Sequence, residues 1–549
     1  MKKLDPHFLR LIRDEGSLQP SRMAAMSGLA GLASAAVLGL VNTAAEAASR
    51  SASTTAYFFA FLGVTAIFLL SKRFILLSSI RETEQIIHRL RLRIVDKVLR
   101  SDLVALDRIG HNNILASVGK DTQILSQAAF MLTNASEALA MLVFAMAYLA
   151  WLSLPAFIIG GAFIGIAVLF HLAKMNRVDQ DLREALNREN ICLGTITDFL
   201  AGFKEIKLNT LRAQDMSRHL LAESVQAAGS KTGALETLAR HFSLTQAMLY
   251  MLIATMVFIV PIFSDSFSNV VVKTATTMLF MVSSITILVA AIPVFAEANA
   301  AASHIRAIET ELTATTWPAE PAGLPAFGKF REIKLEQVSY KHHRPGDDKP
   351  FTLGPMNLRV KAGEMVFISG GNGSGKSTLI KLLVGLYPPT TGTIEIDSEA
   401  VDQHNLAAYR DMFAVVFSDF HLFKRLFGMM EAEQERIEGL LHLMEMERKT
   451  SVANGLFSTL DLSSGQRKRI ALMVALLEDK PIIVLDEWAA DQDPQFRAKF
   501  YQTMLPELKR QGKTIIAVTH DERYFGVADR RISLEYGQIA RDEEEPPHA

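Results

Sequence analysis

Apolar residues gather in the first half of the chain as six long runs, near 23–44, 55–77, 128–150, 154–174, 243–263 and 271–295. Each is long enough to cross a hydrocarbon core of ~30 Å, which takes about 20 helical residues. Asn134 and Glu137 interrupt the third run, and Lys273 marks the start of the sixth. Six such runs predict a helical membrane domain over residues 1–310. The first run resembles a signal peptide in one respect, because Ala45-Glu46-Ala47 reads like a cleavage site. A long polar stretch precedes it and a second span follows after a short loop, so a retained span is expected.

Between the runs the polar positions are unequal. The segment 78–125 carries Arg81, Arg89, Arg91, Arg93, Lys97, Arg100, Arg108 and Lys120, and 174–242 is also basic. The segments 45–54, 151–153 and 264–270 together hold one basic residue, Arg50. Positive loops stay in the cytoplasm, so both termini are expected there. The basic loops have helical patterning, as in Ile86–Val95, and should extend the spans into the cytosol. Their expected contact elements are Leu106–Gly119 and Gly194–Leu208. A Pro- and Ala-rich stretch, Trp317–Pro325, then breaks the pattern and predicts a linker over 311–328.

From 329 to 549 the pattern is that of an α/β domain. Short apolar strands alternate with glycine turns and amphipathic segments. Gly370-Gly371-Asn372-Gly373-Ser374-Gly375-Lys376-Ser377-Thr378 lies between the apolar runs Met365–Ser369 and Leu379–Leu383. A strand, a glycine loop with Lys-Ser, and a helix form a phosphate-binding loop. Successive backbone N–H groups converge on one phosphate cluster, and the helix N-terminus adds partial positive charge. Lys376 reaches the terminal phosphates and Ser377 ligates Mg²⁺. Ile482–Leu485 ends in Asp486-Glu487, and Thr514–Thr519 ends in His520. Parallel strands carry ligands at their carboxyl ends, so all three residues should share the edge of the glycine loop. Asp486 would hold Mg²⁺ through its water shell, Glu487 would polarise the attacking water, and His520 would contact the γ-phosphate.

Composition supports a membrane protein. Of 549 residues 49% are hydrophobic, and the net charge of −1 gives no pull toward nucleic acid. Cys192 is the one cysteine, which excludes an intrachain disulfide and suggests no metal cluster. The run Asp542–Glu545 reads as a solvated acidic tail.

The order of motifs resembles the ATP-binding-cassette (ABC) ATPases, with Leu462-Ser463-Ser464-Gly465-Gln466 in the place of their signature. In that family one cassette's signature covers the ATP held by the other. Ser463, Gly465 and a helix N-terminus would form that second anion-binding edge. The resemblance therefore implies ATP and Mg²⁺ as ligands and a second copy of this chain as partner. Six spans followed by one cassette resemble the half-size ABC exporters: an α-helical six-span membrane domain fused to an α/β P-loop nucleotide-binding domain. The runs Phe351–Leu358, Phe417–Phe423 and Asp486–Pro494, above all Trp488-Ala489-Ala490-Asp491-Gln492-Asp493-Pro494, are similar to the cyclic-peptide exporters of microcin J25, cyclic lipopeptides and the pyoverdine precursor. This implies ATP-driven peptide export across a bacterial inner membrane, a pyoverdine-type precursor being the narrower expectation. A siderophore importer on the same fold and a non-transporting sensor ATPase are the alternatives. Glu137 offers a handle for a cationic peptide.

Three positions depart from the general ABC pattern. Ser418 stands where a glutamine is usual and would need a bridging water to reach the metal. Coupling is then expected through Asp419 or His421. The adenine-stacking position falls at His342, with Tyr340 on the same strand face, so either ring is a candidate. The stretch from Ser418 to the signature is short, which predicts a reduced helical subdomain.

Overall fold

The computed structural model describes residues 7–15, 20–259, 271–314, 327, 330–342 and 351–544. The linker run Trp317–Pro325 and the turn expected at 264–270 lie outside the described residues. The chain divides into two compact units. One is Met1–Asp96 with Ile109–Glu311, and the other is Lys97–Arg108 with Leu312–Ala549.

The first unit is helical: α1 (His7–Glu15), α2 (Pro20–Ser49), α3 (Thr55–Leu99), α5 (His111–Ala116), α6 (Thr122–Leu152), α7 (Leu154–Ala201), α8 (Phe203–Lys207), α9 (Thr210–Ala254) and the long helix Val271–Ala314. Helix α4 (Leu103–Ile109) belongs largely to the second unit. In lipid every backbone polar group must be satisfied within the segment, which selects helices. Among the described residues five helices are long and apolar enough to cross a membrane: Ala25–Ser49, Thr55–Leu99, His111–Leu152, Thr210–Ile259 and Val271–Thr313. The fourth expected run, 154–174, forms the shorter apolar stretch Leu154–Phe170 at the start of α7. The chain is thus a multi-pass membrane protein.

Small residues let α2 and α6 approach closely. A Cβ added at Gly31 would lie 2.6 Å from Ala140 Cβ. Ala30 and Ala33 of α2 and Ala138 of α6 are buried, and the Ser27 and Ser136 hydroxyls bond at 3.1 Å. Helix α1, which the hydrophobic pattern did not announce, is amphipathic with Phe8 and Leu11 buried. Phe8 lies 6.1 Å from the Phe295 ring. Arg93 ties the end of α1 to the last span, pairing with Glu15 and, at 2.6 Å, with Glu309.

The second unit holds a four-stranded antiparallel sheet and a six-stranded sheet. The strands are β1 (Glu332–Lys341), β2 (Thr352–Lys361), β3 (Met365–Gly370), β4 (Thr391–Ile396), β5 (Glu399–Ala400), β6 (Phe413–Val416), β7 (Val452–Ala453), β8 (Leu456–Phe457), β9 (Ile482–Asp486), β10 (Thr514–Val518), β11 (Arg530–Glu535) and β12 (Gln538–Glu544). The larger sheet runs β12-β11-β3-β10-β9-β6, with β11, β3, β10, β9 and β6 parallel. Strands β9 and β10 are buried at every position, as a parallel sheet covered on both faces requires. Between β6 and the signature lie one helix, Gln434–Leu443, and the small β7–β8 hairpin.

One expectation is corrected here. The acidic run is not simply solvated: Asp542–Glu544 end β12, where Arg530 pairs with Asp542 at 2.5 Å and Arg531 with Glu543 at 3.0 Å. The first inner-loop contact element begins in α4, which lies in the cassette's own unit. Leu103 and Val104 of α4 pack on its core, and Tyr387 donates to Asp107 at 3.2 Å. Asp107 also raises the pKa of Tyr387, after burial, which is the larger cause.

Gly31→Leu should overpack the α2–α6 contact and cost roughly 1–3 kcal/mol. A lower melting temperature in detergent checks this, and an unchanged one rejects it.

Candidate functional site

The glycine loop leaves β3 at Gly370 and enters the helix Lys376–Leu383. Two of its glycines are sterically required. Gly370 has φ 149°, and a Cβ there would lie 2.3 Å from the Leu534 carbonyl oxygen. Gly375 has φ 102°, and its Cβ would meet the Leu353 side chain at 2.7 Å. Gly371, Asn372 and Gly373 are exposed, so their N–H groups are open to a ligand. Lys376 is 6% exposed and folds over the loop, donating to the carbonyls of Gly370 at 3.0 Å and Gly371 at 3.1 Å.

Asp486 ends β9 and is buried. Its Oδ2 accepts from the Ser418 hydroxyl at 3.1 Å, and the Ser377 hydroxyl bonds to the same carboxylate. Burial pushes its pKa up, against the pull of those two hydroxyls, and Glu487 adds to the rise. Ser418 thus hydrogen-bonds directly to the expected metal ligand. Asp486 Oδ1 and Ser374 Oγ are buried with no hydrogen-bond partner. Orphaned buried polar atoms call for a ligand. An oxygen-lined pocket of one carboxylate and two serine hydroxyls beside a phosphate loop fits Mg²⁺ and a nucleotide triphosphate.

Glu487 follows in the left-handed region, at φ 50°. Its N–H bonds to Val518 at 3.1 Å, which fixes it against the end of β10. Its Oε1 lies 3.1 Å from His520 Nε2 and 3.8 Å from Lys376 Nζ. The structure therefore brings Lys376, Ser377, Asp486, Glu487 and His520 to one sheet edge.

Tyr340 does not face that edge as a free ring. It is 6% exposed and stacks on Tyr387 at 4.8 Å and 14°. As the strand alternation predicts, it lies beside His342, the two rings meeting edge to face at 5.1 Å. His342 is half-buried, and its Nε2 lies 3.3 Å from Thr378 Oγ1. Of the two candidates, His342 is the ring next to the phosphate loop. Asp419 is close enough to Tyr387 to raise its pKa, which places it beside the α4 contact, whereas His421 packs on Phe423 at 4.9 Å.

The signature forms the N-terminus of the helix Ser464–Leu477. Ser463 caps it: Gln466 N–H donates to Ser463 Oγ at 3.4 Å, and Ser463 N–H donates to Gln466 Oε1 at 3.1 Å. A Cβ on Gly465 would lie 2.6 Å from the Asp491 carbonyl oxygen, so this glycine permits close packing on the Trp488–Asp493 loop.

Sequence reasoning missed the residue that joins these parts. Lys468 is 7% exposed, donates to the Glu487 carbonyl at 2.9 Å, and pairs with Asp491 at 2.9 Å. Its own carbonyl accepts from buried Trp488 Nε1 at 2.7 Å. A lysine on the apolar face of the signature helix was the available signal.

Comparison with known proteins agrees with this geometry. Residues 353–490 match the ABC transporter family. The chain is 34% identical over 532 residues to the ATP-binding protein SyrD of Pseudomonas syringae pv. syringae, covering 94% of this chain and 92% of that one. The chain belongs to the ABC transporter family. It is 26% identical over 485 residues to the ATP-dependent lipid A-core flippase of Burkholderia orbicola (strain AU 1054), covering 84% and 78% of the two chains. The solved structure of a bacterial Atm1-family ABC exporter with ATP bound superposes with a TM-score of 0.75 at 16% identity, over 98% of this chain and 95% of that one. The ABC transporter described here thus joins membrane helices, in the fold of that Atm1-family exporter, to an ATP-hydrolysing cassette.

In this ABC transporter Mg²⁺, held by Ser377 and Asp486, would neutralise charge on the terminal phosphates. The remaining chemistry is positional. Glu487 would accept a proton from the attacking water, and His520, 3.1 Å from Glu487 Oε1, would help hold that carboxylate. Lys468 holds the backbone of Glu487 in its strained conformation.

Glu487→Gln should slow ATP hydrolysis by roughly 10²–10⁴-fold while ATP still binds. Hydrolysis at the parent rate would reject the assignment. Lys468→Gln should misplace Glu487 and lower kcat by up to about 10²-fold with little change in KM. A change in KM alone would place Lys468 outside this role.

Asp486 also sets a pH dependence. Its carboxyl titrates above the ordinary ~3.9 when folded. The burial penalty is therefore absent below that value and grows as pH rises through the raised one. Asp486→Asn should melt higher than the parent at neutral pH, with the gap closing on acidification, while losing Mg²⁺-dependent hydrolysis. An Asn variant that melts no higher at neutral pH contradicts the buried-charge reading.

Proposed function

We propose that this exporter works as a homodimer that moves an amphipathic peptide out of the cytoplasm across a bacterial inner membrane. The observation that carries the cargo reading is a pair of adjoining cavities among α3, α6 and Val271–Ala314. Their volumes are about 340 and 470 Å³, and they share Met131. Spaces of this size suit a segment of a peptide rather than an ion. Their walls mix apolar side chains with serines and carboxylates, which matches a cargo with both kinds of surface. The Asp486–Pro494 run, similar to that of cyclic-peptide exporters, supports the same class and favours a pyoverdine-type precursor within it.

Residues 1–310 then form the membrane domain, 311–328 the linker and 329–549 the ATPase, with both termini cytoplasmic. The basic inner segments support that orientation. Each ATP would lie between Lys376 of one chain and Ser463 of its partner. Closure favours outward release only if ATP binds the closed form more tightly.

Inside-out vesicles should accumulate a labelled pyoverdine-type precursor with ATP and Mg²⁺. Uptake by right-side-out vesicles with internal ATP, and none in inverted ones, would establish import instead. Mixed Lys376→Ala and Ser463→Arg chains should form heterodimers that retain one intact composite site. Their activity should exceed that of either variant alone, and a monomer hydrolysing at full rate would reject the dimer.

A further inference from the structure

The charges around the two cavities are unequal. The inner one is lined by Lys72, Asn134, Glu137 and Ser283 among others. The second is lined by Thr83, Glu84, Ser126 and Glu297 among others. Lys72 is the only basic residue lining either cavity among the described residues. Lys72 Nζ and Glu137 Oε1 pair at 3.2 Å. The Glu137 side chain is 16% exposed and that of Lys72 39%. Glu84 accepts from the Ser126 hydroxyl at 3.3 Å. Glu297 has no hydrogen-bond or ion-pair partner among the described residues.

Depth follows from helix length. At 1.5 Å per residue Lys72 lies about 25 Å from the α3 end at Thr55, and Glu137 about 22 Å from the α6 end at Leu152. Both ends are on the same side, so the pair sits inside a hydrocarbon core of ~30 Å, toward its far edge. Glu84 and Glu297 lie about 44 and 39 Å from the corresponding ends of their helices, beyond that core. Two carboxylates thus stand at the wet mouth, and a third stands deeper, neutralised by a lysine. A charged group in the core is retained when it is paired or lines a functional cavity.

We propose that these cavities form one cation-selective cargo chamber, in which an ammonium group of an amphipathic peptide meets Glu297 and Glu84 at the mouth and then replaces Lys72 as the partner of Glu137. This rests on the export reading and narrows its substrate to cationic peptides. Lys72 stays a cation when displaced from Glu137, and its long side chain, near the far edge of the core, can carry that charge to water while the cargo amine compensates Glu137. An anionic lipid gains nothing here: two carboxylates at the mouth repel it, and Lys72 is already engaged.

The test uses the full chain in phosphatidylcholine nanodiscs and reads ATPase stimulation relative to each variant's own basal rate. The probes are polymyxin B, a cyclic lipopeptide with free amines, and the same peptide with those amines acetylated. The free-amine peptide should stimulate and the acetylated one should not. Glu297→Gln should raise the half-stimulating concentration roughly 10-fold or more, the size of one charged hydrogen bond, and Glu297→Asp should restore it. Lys72→Gln frees Glu137 and should lower that concentration. This opposite shift separates recognition from misfolding. Equal stimulation by both peptides, or an unmoved Lys72→Gln variant, overturns the inference. Transport of a neutral peptide by the vesicles would sink charge selection while leaving export intact, whereas absence of any ATP-dependent uptake would sink the export reading itself.

Discussion

A single buried carboxylate organises the catalytic unit. Asp486 is nearly inaccessible at the end of β9, with one oxygen held by Ser377 and Ser418 and the other without a partner. A charge in that position is costly unless a cation or hydrogen bonds compensate it. The glycine loop, the N-terminus of Lys376–Leu383 and the ammonium of Lys376 gather at the same edge, because the parallel order β3-β10-β9 brings their strand ends together. The sheet thus concentrates donors and positive charge beside its one buried acid, and phosphate binding follows from that concentration.

The same economy of buried charge explains the clasp around Lys468. A lysine buried on the signature helix has to be neutralised, and the partner is Asp491. Its remaining reach goes to the Glu487 carbonyl. The lysine therefore links the signature helix to the backbone of Glu487. Gly465 allows this contact, since any side chain there would collide with the Asp491 carbonyl. Tyr387 makes a comparable link at the other side of the cassette, between the Asp107 carboxylate of α4 and the ring stack that ends at His342.

In the membrane unit the constraint reappears with lipid as the solvent. Small residues bring α2 and α6 together, and hydroxyl pairs such as Ser27–Ser136 and Thr133–Ser79, at 3.1 and 2.7 Å, satisfy polar atoms across helices. Lys72 and Glu137 satisfy each other. Apolar packing makes the scaffold, and the few polar groups left inside it define where a polar cargo has a reason to enter.

Much of this was legible in the order of residues. Long apolar runs determine membrane helices because length and hydrophobicity are local properties. The glycine loop, Asp486-Glu487 and His520 were legible because a parallel sheet places strand ends by rule. Tertiary structure alone decided the rest. Tyr340 and His342 share a strand face, yet Tyr340 stacks on Tyr387 while His342 lies beside Thr378. That Ser418 bonds to Asp486 depends on how the end of β6 lies against β9. The pairings of Lys468 with Asp491, Lys72 with Glu137 and Arg530 with Asp542 could not be read from spacing, because which charge meets which depends on how elements distant in the chain pack.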